Sequence, residues 1–191
     1  MMDKHQLPKL KKLGVFTLDQ GKSLGISQQD ISRLVAAKEI VRLGRGIYLH
    51  PKALLENDVG FQIAYSKFGP ESAIGGLSAL YHYNLAEQVP GEIWVVVPAE
   101  KRTREKGYRL IRTKTRLDKH IVDEPGYRIV TVERAVLEAL KFLTKIGERT
   151  ALKAAREALA TRRTTEAKLA KAAKELGLES VMAKHLEVIV P

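Results

Sequence analysis

The sequence contains no cysteine and no long hydrophobic run. The absence of cysteine excludes a disulfide scaffold, a thiolate zinc site, an iron–sulfur cluster and a cysteine nucleophile. The longest apolar run, 93–97, has five residues, whereas a membrane span needs ~18. The first residues also lack the apolar core of a secretory signal. We therefore expect a soluble, cytoplasmic protein that has no membrane partner.

The sequence also lacks the motifs of common enzyme classes. Its five histidines are scattered without the spacing of a zinc site, and no glycine-rich phosphate-binding motif occurs. Ser78, in the segment GGLSALY, lacks the glycine two residues later that a nucleophile elbow requires. A nucleotidyltransferase needs two alternating carboxylates, but Trp94 follows Glu92 where the second should stand. We expect a protein that is not an enzyme and that uses no metal and no cofactor.

Positive charge is what the sequence has in excess. Its 33 Lys and Arg residues against 22 Asp and Glu residues give a net charge of +11. Residues 1–52 carry +6, residues 99–120 carry +6 and residues 141–174 carry +7, with negatively charged stretches between them. Such a charge makes a polyanion the first candidate partner. The change of composition near Pro51 predicts two domains, 1–52 and 53–191.

Residues 1–52 show the pattern of a winged helix-turn-helix. Apolar spacing predicts helices over 4–13 and 18–24 and a third helix that starts at Ser27. Thr17 and Ser27 are suitable N-caps, and Gly25 can end the second helix with a positive φ. The short apolar stretches 40–43 and 47–49 flank Gly44-Arg45-Gly46 and predict a β-hairpin. In this layout the third helix suits a DNA major groove and the hairpin suits the adjacent backbone or minor groove.

One face of the third helix carries side chains that can read bases. Ile31, Leu34 and Val35 would face inward at helical spacing, which leaves a polar face outward. Glutamine can pair with adenine and arginine with guanine, while arginines on a hairpin reach phosphates or the minor groove. The predicted DNA-binding residues are Gln28, Gln29, Ser32, Arg33, Arg42 and Arg45. The alternative is an ordinary solvated helix face in a fold used for protein contact.

Residues 53–191 have mixed helical and strand patterns. Helices are predicted over 58–68, 77–83, 132–143, 148–160, 165–176 and 181–189, and strands over 92–98, 108–113 and 127–130. The expected N-caps include Thr131, Thr164 or Thr165, and Ser180, while Gly177 is an expected stop. The predicted fold class is therefore α+β: an N-terminal winged helix-turn-helix followed by a larger α+β domain that ends in a set of helices.

The basic segments of the second domain allow more than one interpretation. A secondary basic patch is predicted at Lys101, Arg102, Arg104, Lys106, Arg162 and Arg163. These residues could neutralise phosphates or pair with an acidic or RNA-bound partner. Alternatively, 101–119 is a solvated loop followed by a charged edge strand, and the basic residues of the last helices form their outer face. We expect Glu133 and Arg134 to be an exposed pair at a helix start.

The chain resembles the AbiEi family of antitoxins. The winged part carries GIS at 25–27 and ISRLVAAKEIVRLGRGIYLHP at 31–51. The second part has LSALYHYNL at 77–85, EIWVVVP at 92–98 and VTVERAVLEAL at 130–140 in the family's order. The resemblance implies that the winged domain binds inverted repeats at its own promoter and represses it. It also implies a C-terminal domain that counteracts an AbiEii-like, nucleotidyltransferase-related toxin.

Three hypotheses about function follow from the sequence. The first is an autorepressor and antitoxin that binds double-stranded promoter DNA with inverted repeats, or an orphan regulator without a toxin. The second is an RNA- or tRNA-binding protein that uses the basic segments 99–119 and 141–174. The third is an enzyme acting on nucleic acid, against which the missing pair of carboxylates counts.

Overall fold

Capping and turn residues divide the sequence into short helices and strands. The structure is a computed structural model that describes residues 7–51, 58–115 and 117–190. This part of the chain divides into two compact units, one formed by the residues up to 70 together with 125–127, and the other by 71–124 and the residues from 128 onward. We call them the N-terminal unit and the C-terminal unit. None of the described helices is long and apolar enough to cross a membrane.

The N-terminal unit contains four helices and three strands within the described residues. Their bounds are α1 (Leu7–Leu13), β1 (Val15–Thr17), α2 (Leu18–Ser23), α3 (Gln28–Ala36), β2 (Val41–Gly44), β3 (Ile47–Leu49) and α4 (Val59–Phe68). The three predicted helices and the hairpin are confirmed, although residues 4–6 of the first predicted helix lie outside the described residues.

The caps explain where α2 and α3 begin. The Thr17 hydroxyl accepts a hydrogen bond from the Gln20 amide at 3.2 Å, and the Gln20 side chain accepts one from the Thr17 amide at 2.8 Å. This reciprocal pair is a capping box. The Ser27 hydroxyl accepts from the Asp30 amide at 3.1 Å and starts α3. Gly25, between the two helices, has a φ of 79°, which a residue without a Cβ adopts at little cost.

The strands of the N-terminal unit form one antiparallel sheet in the order β1-β3-β2. Val15 pairs with Leu49 and Thr17 with Ile47, while a bulge between Arg42 and Gly44 shifts the register of the hairpin. The strand β1 was not predicted, because it has three residues and its partner residues lie 30 to 34 positions further along the chain.

Two apolar clusters hold this unit together. One joins the three helices to the sheet and consists of Leu10, Phe16, Ile26, Ile31, Leu34, Ile40 and Tyr48. The other lies between the sheet and α4, whose Val59 and Ile63 pack on Val15, Ile47 and Leu49. The unit therefore extends beyond the predicted boundary between residues 52 and 53, because α4 covers the second face of the sheet.

The C-terminal unit contains a five-stranded sheet and six helices within the described residues. The bounds are β4 (Ala73–Ile74), α5 (Gly76–His82), β5 (Ile93–Pro98), β6 (Tyr108–Thr113), β7 (Ile121–Glu124), β8 (Tyr127–Val130), α6 (Val132–Lys141), α7 (Leu143–Ile146), α8 (Glu148–Ala160), α9 (Glu166–Leu176) and α10 (Glu179–Ile189). The strand order is β6-β5-β4-β8-β7, with β5 parallel to β6 and β4 parallel to β8. The α+β class is thus confirmed.

Most of the predicted elements of this unit are present, with four corrections. The strand β4 was not predicted, since two residues are too few to show an alternating pattern. The strand β7 was not predicted, since IVDE is short and half of it is acidic. The predicted helix 132–143 ends at Lys141 and is followed by the separate turn α7. Ser180 does not cap the last helix, which begins at Glu179 after Leu178.

Two adjacent glycines set the distance between α5 and the sheet. A Cβ on Gly75 would lie 2.3 Å from Val96 Cγ2, and one on Gly76 would lie 2.5 Å from Trp94 Cε3. Gly76 also has a φ of 51°. The Ser78 hydroxyl, one turn into the helix, accepts a hydrogen bond from the Trp94 amide at 2.9 Å. The segment GGLSALY is therefore a close contact between a helix and a strand, and Ser78 is buried there.

The substitution Gly76→Ala is expected to destabilise the protein by about 1–3 kcal/mol, because the new methyl group would overlap the Trp94 ring. Urea unfolding followed by circular dichroism measures the effect. Gly91→Ala is the matched control, since no heavy atom of a described residue beyond its two chain neighbours lies within 4 Å of its Cβ position. Equal stability of the two variants would contradict this account of the contact.

A buried ion pair lies on α6, where the sequence predicted an exposed pair. Arg134 is 1% exposed, and its Nε donates to Glu138 Oε1 at 2.8 Å while its NH1 donates to the Lys119 carbonyl at 2.8 Å. The expectation that Arg134 is exposed is wrong, because α6 is covered by packed elements on nearly all sides. Burial raises the pKa of Glu138 despite the charge of Arg134, and Glu138 Oε2 has no hydrogen-bond partner among the described residues.

The substitution Arg134→Met is expected to cost about 3–5 kcal/mol, because it leaves the Glu138 carboxyl group buried without a counter-charge. The double variant Arg134→Met, Glu138→Leu should recover most of that loss, since an apolar pair of similar volume needs no desolvation. Chemical denaturation of the two variants and of the wild type measures both effects. A double variant as unstable as Arg134→Met would show that the hydrogen bond to Lys119, and not the buried charge, is the larger contribution.

Candidate nucleic-acid interface

The helix α3 separates an apolar face from a polar one. Ile31 and Leu34 are buried in the core, and Val35 is half-buried against it. The four predicted base-reading residues are all exposed: Gln28, Gln29, Ser32 and Arg33. The Ser32 hydroxyl donates to the Gln28 carbonyl at 3.0 Å and so remains close to the helix backbone. The longer Gln28, Gln29 and Arg33 side chains are the groups that extend away from it.

An acidic residue lies among these exposed side chains. Asp30 Oδ1 accepts a hydrogen bond from Arg33 NH1 at 3.3 Å, and Asp30 Oδ2 accepts one from the Ser27 hydroxyl at 2.6 Å. The hydrogen bond from Ser27 is the main reason that the pKa of Asp30 lies below its usual value, and the charge of Arg33 adds to the effect.

The two arginines of the hairpin have different surroundings. Arg42 lies on β2 and is exposed, but its Nε donates to the Gly44 carbonyl at 3.2 Å across the bulge. Arg45 occupies the two-residue turn together with Gly46, whose φ is 71°. Arg45 is exposed and has no hydrogen bond or ion pair to any described residue, so its guanidinium group is available to a ligand.

Exposed lysines on α1 were not singled out from the sequence. Lys9, Lys11 and Lys12 all face solvent, because Leu10 is the residue of that turn that enters the core. The only feature of the sequence that pointed to these lysines as candidate phosphate contacts was the net positive charge of residues 1–52. Periodicity could not decide their role, since a solvated helix face and a phosphate-binding face have the same pattern.

The secondary basic patch predicted in the C-terminal unit falls on two loops. Lys101, Arg102, Arg104 and Lys106 lie between β5 and β6, and Arg162 and Arg163 lie in the turn after α8. All six are exposed except Lys101, which is half-buried. Two of them are held by backbone carbonyls: Arg102 donates to Ala99 at 2.6 Å, and Arg163 donates to Tyr83.

The edge strand β6 agrees with the alternative interpretation of the segment 101–119. It lies at the end of the sheet order, and its residues Arg109 and Arg112 are exposed. Charged residues on an edge strand hinder pairing with another strand. Arg109 donates to Glu92 at 3.0 Å and lies over the Trp94 ring at 4.9 Å. Some of the basic residues of this segment therefore hinder pairing of the sheet edge with another strand, and Arg109 also packs against the sheet.

Metal-ligating side chains are not clustered in the described part of the chain. No three His, Asp or Glu side chains cluster within residues 7–51, 58–115 and 117–190 so that they could hold a metal ion. His120 pairs with Glu175 at 2.8 Å, and Ser78 is engaged with the Trp94 amide.

The arrangement of α1, β1, α2, α3 and the β2–β3 hairpin is that of a winged helix-turn-helix, with α3 in the position of the recognition helix and the hairpin as the wing. Residues 8–51 match the family model described as "Transcriptional regulator, AbiEi antitoxin". The match confirms the resemblance for the winged part.

The crystal structure of the RV2827C protein from Mycobacterium tuberculosis is similar to the whole chain. The TM-score is 0.59 at 12% sequence identity, and the alignment covers 96% of this chain and 78% of that chain. At this identity the likeness concerns the fold, which extends through both units. Comparison with curated proteins finds no match.

Proposed function

We propose that this protein is a DNA-binding transcriptional regulator that represses its own promoter and acts as an antitoxin. The observation that carries the proposal is the winged helix-turn-helix itself, with Gln28, Gln29 and Arg33 exposed on α3 and Arg45 exposed on the wing. These side chains have no part in the core. Their chemistry fits adenine and guanine edges in the major groove and phosphates beside it.

The proposed DNA site is a pair of inverted repeats in the promoter of its own gene. One copy of the winged fold would read each half-site, with the half-site centres about one helical turn apart. Phosphate contacts by Arg42, Arg45 and the α1 lysines would supply affinity that falls as salt rises. The charge of +6 on residues 1–52 supports this part of the proposal.

The variants Arg33→Ala and Arg45→Ala separate the two kinds of contact. Arg33→Ala is expected to weaken promoter binding by about 1–3 kcal/mol and to relax the preference at one base pair. Arg45→Ala should weaken binding to all sequences similarly and reduce the slope of log K against log salt by about one. Fluorescence anisotropy with promoter and scrambled duplexes measures both effects.

Arg149→Ala is the matched control, because it removes one positive charge from an exposed position on α8 in the C-terminal unit. It should leave promoter affinity nearly unchanged. If Arg33→Ala and Arg45→Ala also bind the promoter as the wild type does, the assignment of α3 and the wing to DNA is wrong.

The antitoxin part of the proposal concerns a nucleotidyltransferase-like toxin encoded beside this gene. Under this proposal the C-terminal unit counteracts the toxin and makes or breaks no covalent bond itself. The match of residues 8–51 to a family described as an antitoxin regulator supports the antitoxin role of the chain. Direct contact between the two proteins is not required by the proposal.

Co-expression from an unrelated promoter tests this function. The wild type should restore the growth of cells that produce the neighbouring toxin. Arg33→Ala should restore growth equally well, because repression and toxin counteraction are assigned to different units. A loss of rescue in this variant, at wild-type protein levels, would contradict that division.

RNA binding by the C-terminal unit is the second candidate function. It is favoured by the exposed lysines of α9, since Lys168, Lys171 and Lys174 have no ion pair to any described residue. Reversal of charge at Lys168, Lys171 and Lys174 should abolish RNA retention on a filter under this alternative and leave promoter binding intact. Unchanged RNA retention would exclude these three residues as the RNA contact.

A further inference from the structure

Three polar side chains at the start of α3 form a continuous hydrogen-bonded chain. The Ser27 hydroxyl donates to Asp30 Oδ2 at 2.6 Å and accepts from the Asp30 amide at 3.1 Å. On the other side, Asp30 Oδ1 accepts from Arg33 NH1 at 3.3 Å. The N-cap of the helix is therefore linked through one carboxylate to the predicted guanine-reading arginine.

The two charged members of this chain differ in exposure. The Arg33 side chain is 73% exposed, whereas that of Asp30 is 20% exposed. Both carboxylate oxygens of Asp30 are already engaged, so Asp30 is poorly placed to accept a hydrogen bond from a base. The Nε and NH2 edge of Arg33 has no partner among the described residues. That edge is one of the two forks with which arginine binds guanine O6 and N7.

An arginine near a DNA backbone can bind either a phosphate or a base edge. Phosphates attract any exposed guanidinium group regardless of sequence, which strengthens non-specific binding. A carboxylate beside the guanidinium offsets that attraction and repels phosphates, while a fixed side chain has less rotamer entropy to lose on binding a base. A partner that occupies NH1 alone leaves the other fork free for base reading.

We infer that Asp30 is a positioning residue that directs Arg33 to a guanine edge and away from phosphates, so that Asp30 sets sequence discrimination without contacting DNA. The inference rests on the proposed function and goes beyond it, since it assigns specificity to an acidic residue at the interface. It gives Ser27 a second role, because the serine that caps the helix also fixes the carboxylate.

The test compares Asp30→Asn with Asp19→Asn. Asp19 lies on α2 and pairs with Lys22 three residues later at 3.9 Å, so it has the same spacing and the same charge change. The measured quantity is the ratio of the dissociation constants for scrambled and promoter duplexes at several salt concentrations. Asp30→Asn should lower this ratio about tenfold, through weaker promoter binding and stronger scrambled binding. Asp19→Asn should leave the ratio within about twofold, as expected for a single exposed charge.

The double variant Asp30→Asn, Arg33→Ala shows whether the effect passes through Arg33. Its ratio should equal that of Arg33→Ala alone, because Asp30 then has no guanidinium group to position. A further drop in the double variant would overturn the inference, since Asp30 would be acting on DNA by itself. An unchanged ratio in Asp30→Asn would overturn it as well.

Asp30→Glu and thermal unfolding separate positioning from folding. Glutamate keeps the charge and suits the third residue of a capped helix, so this variant should recover part of the discrimination. Melting temperatures within a few degrees of the wild type would show that lost discrimination is not lost structure. If the wild type binds promoter and scrambled duplexes equally, the proposed function fails. If the wild type discriminates between the duplexes and the Asp30→Asn variant discriminates equally well, only the inference about Asp30 fails.

Discussion

The close approach of α2 and α3 decides which side chains of the N-terminal unit face solvent. A Cβ on Gly21 would lie 2.8 Å from Ile31 Cδ1, so a larger residue in α2 would force the Ile31 side chain to move. The Ile31 side chain is 0% exposed. Because a helix has 3.6 residues per turn, Gln29 and Arg33, two positions away on either side, lie on the opposite face of α3. The exposed set that includes Gln29 and Arg33 thus follows from the burial of Ile31 and Leu34 on the opposite face of α3.

The wing is joined to the same helices through the short strand β1. Thr17 pairs with Ile47 in the sheet and also caps α2, so one residue links the hairpin to the start of a helix. The Leu18 amide donates to the Gly46 carbonyl at 2.9 Å, beside the turn that carries Arg45. A strand of three residues therefore fixes the spacing between the wing and the helix pair, and with it the distance between two sets of proposed DNA contacts.

Most elements could be predicted because they are determined by residues close to them in the sequence. Features that depend on residues far away in the sequence could not be predicted. Thr17, Ser27 and Gly25 act through atoms within three or four residues, so their caps and stop could be predicted. The strand β1 depends on β3, whose paired residues lie 30 to 34 positions away, and its three residues have no pattern of their own. The burial of Arg134 depends on packing around the whole of α6, whereas its sequence neighbours resemble those of an exposed helix start.

The sequence predicted which residues form the candidate interface, but it did not predict the hydrogen bonds among their side chains. That Gln28 and Arg33 face solvent follows from periodicity, but the 3.3 Å contact between Arg33 and Asp30 depends on rotamers.

The contact between Asp30 and Arg33 affects how charge is distributed over the interface. Asp30 and Arg33 together contribute no net charge to α3, so under the proposed function this helix reads bases and supplies little electrostatic attraction. The attraction must then come from exposed cations outside α3, on α1 and the wing. Phosphate contacts set position and affinity, and base contacts set specificity; in this unit the two tasks belong to different elements.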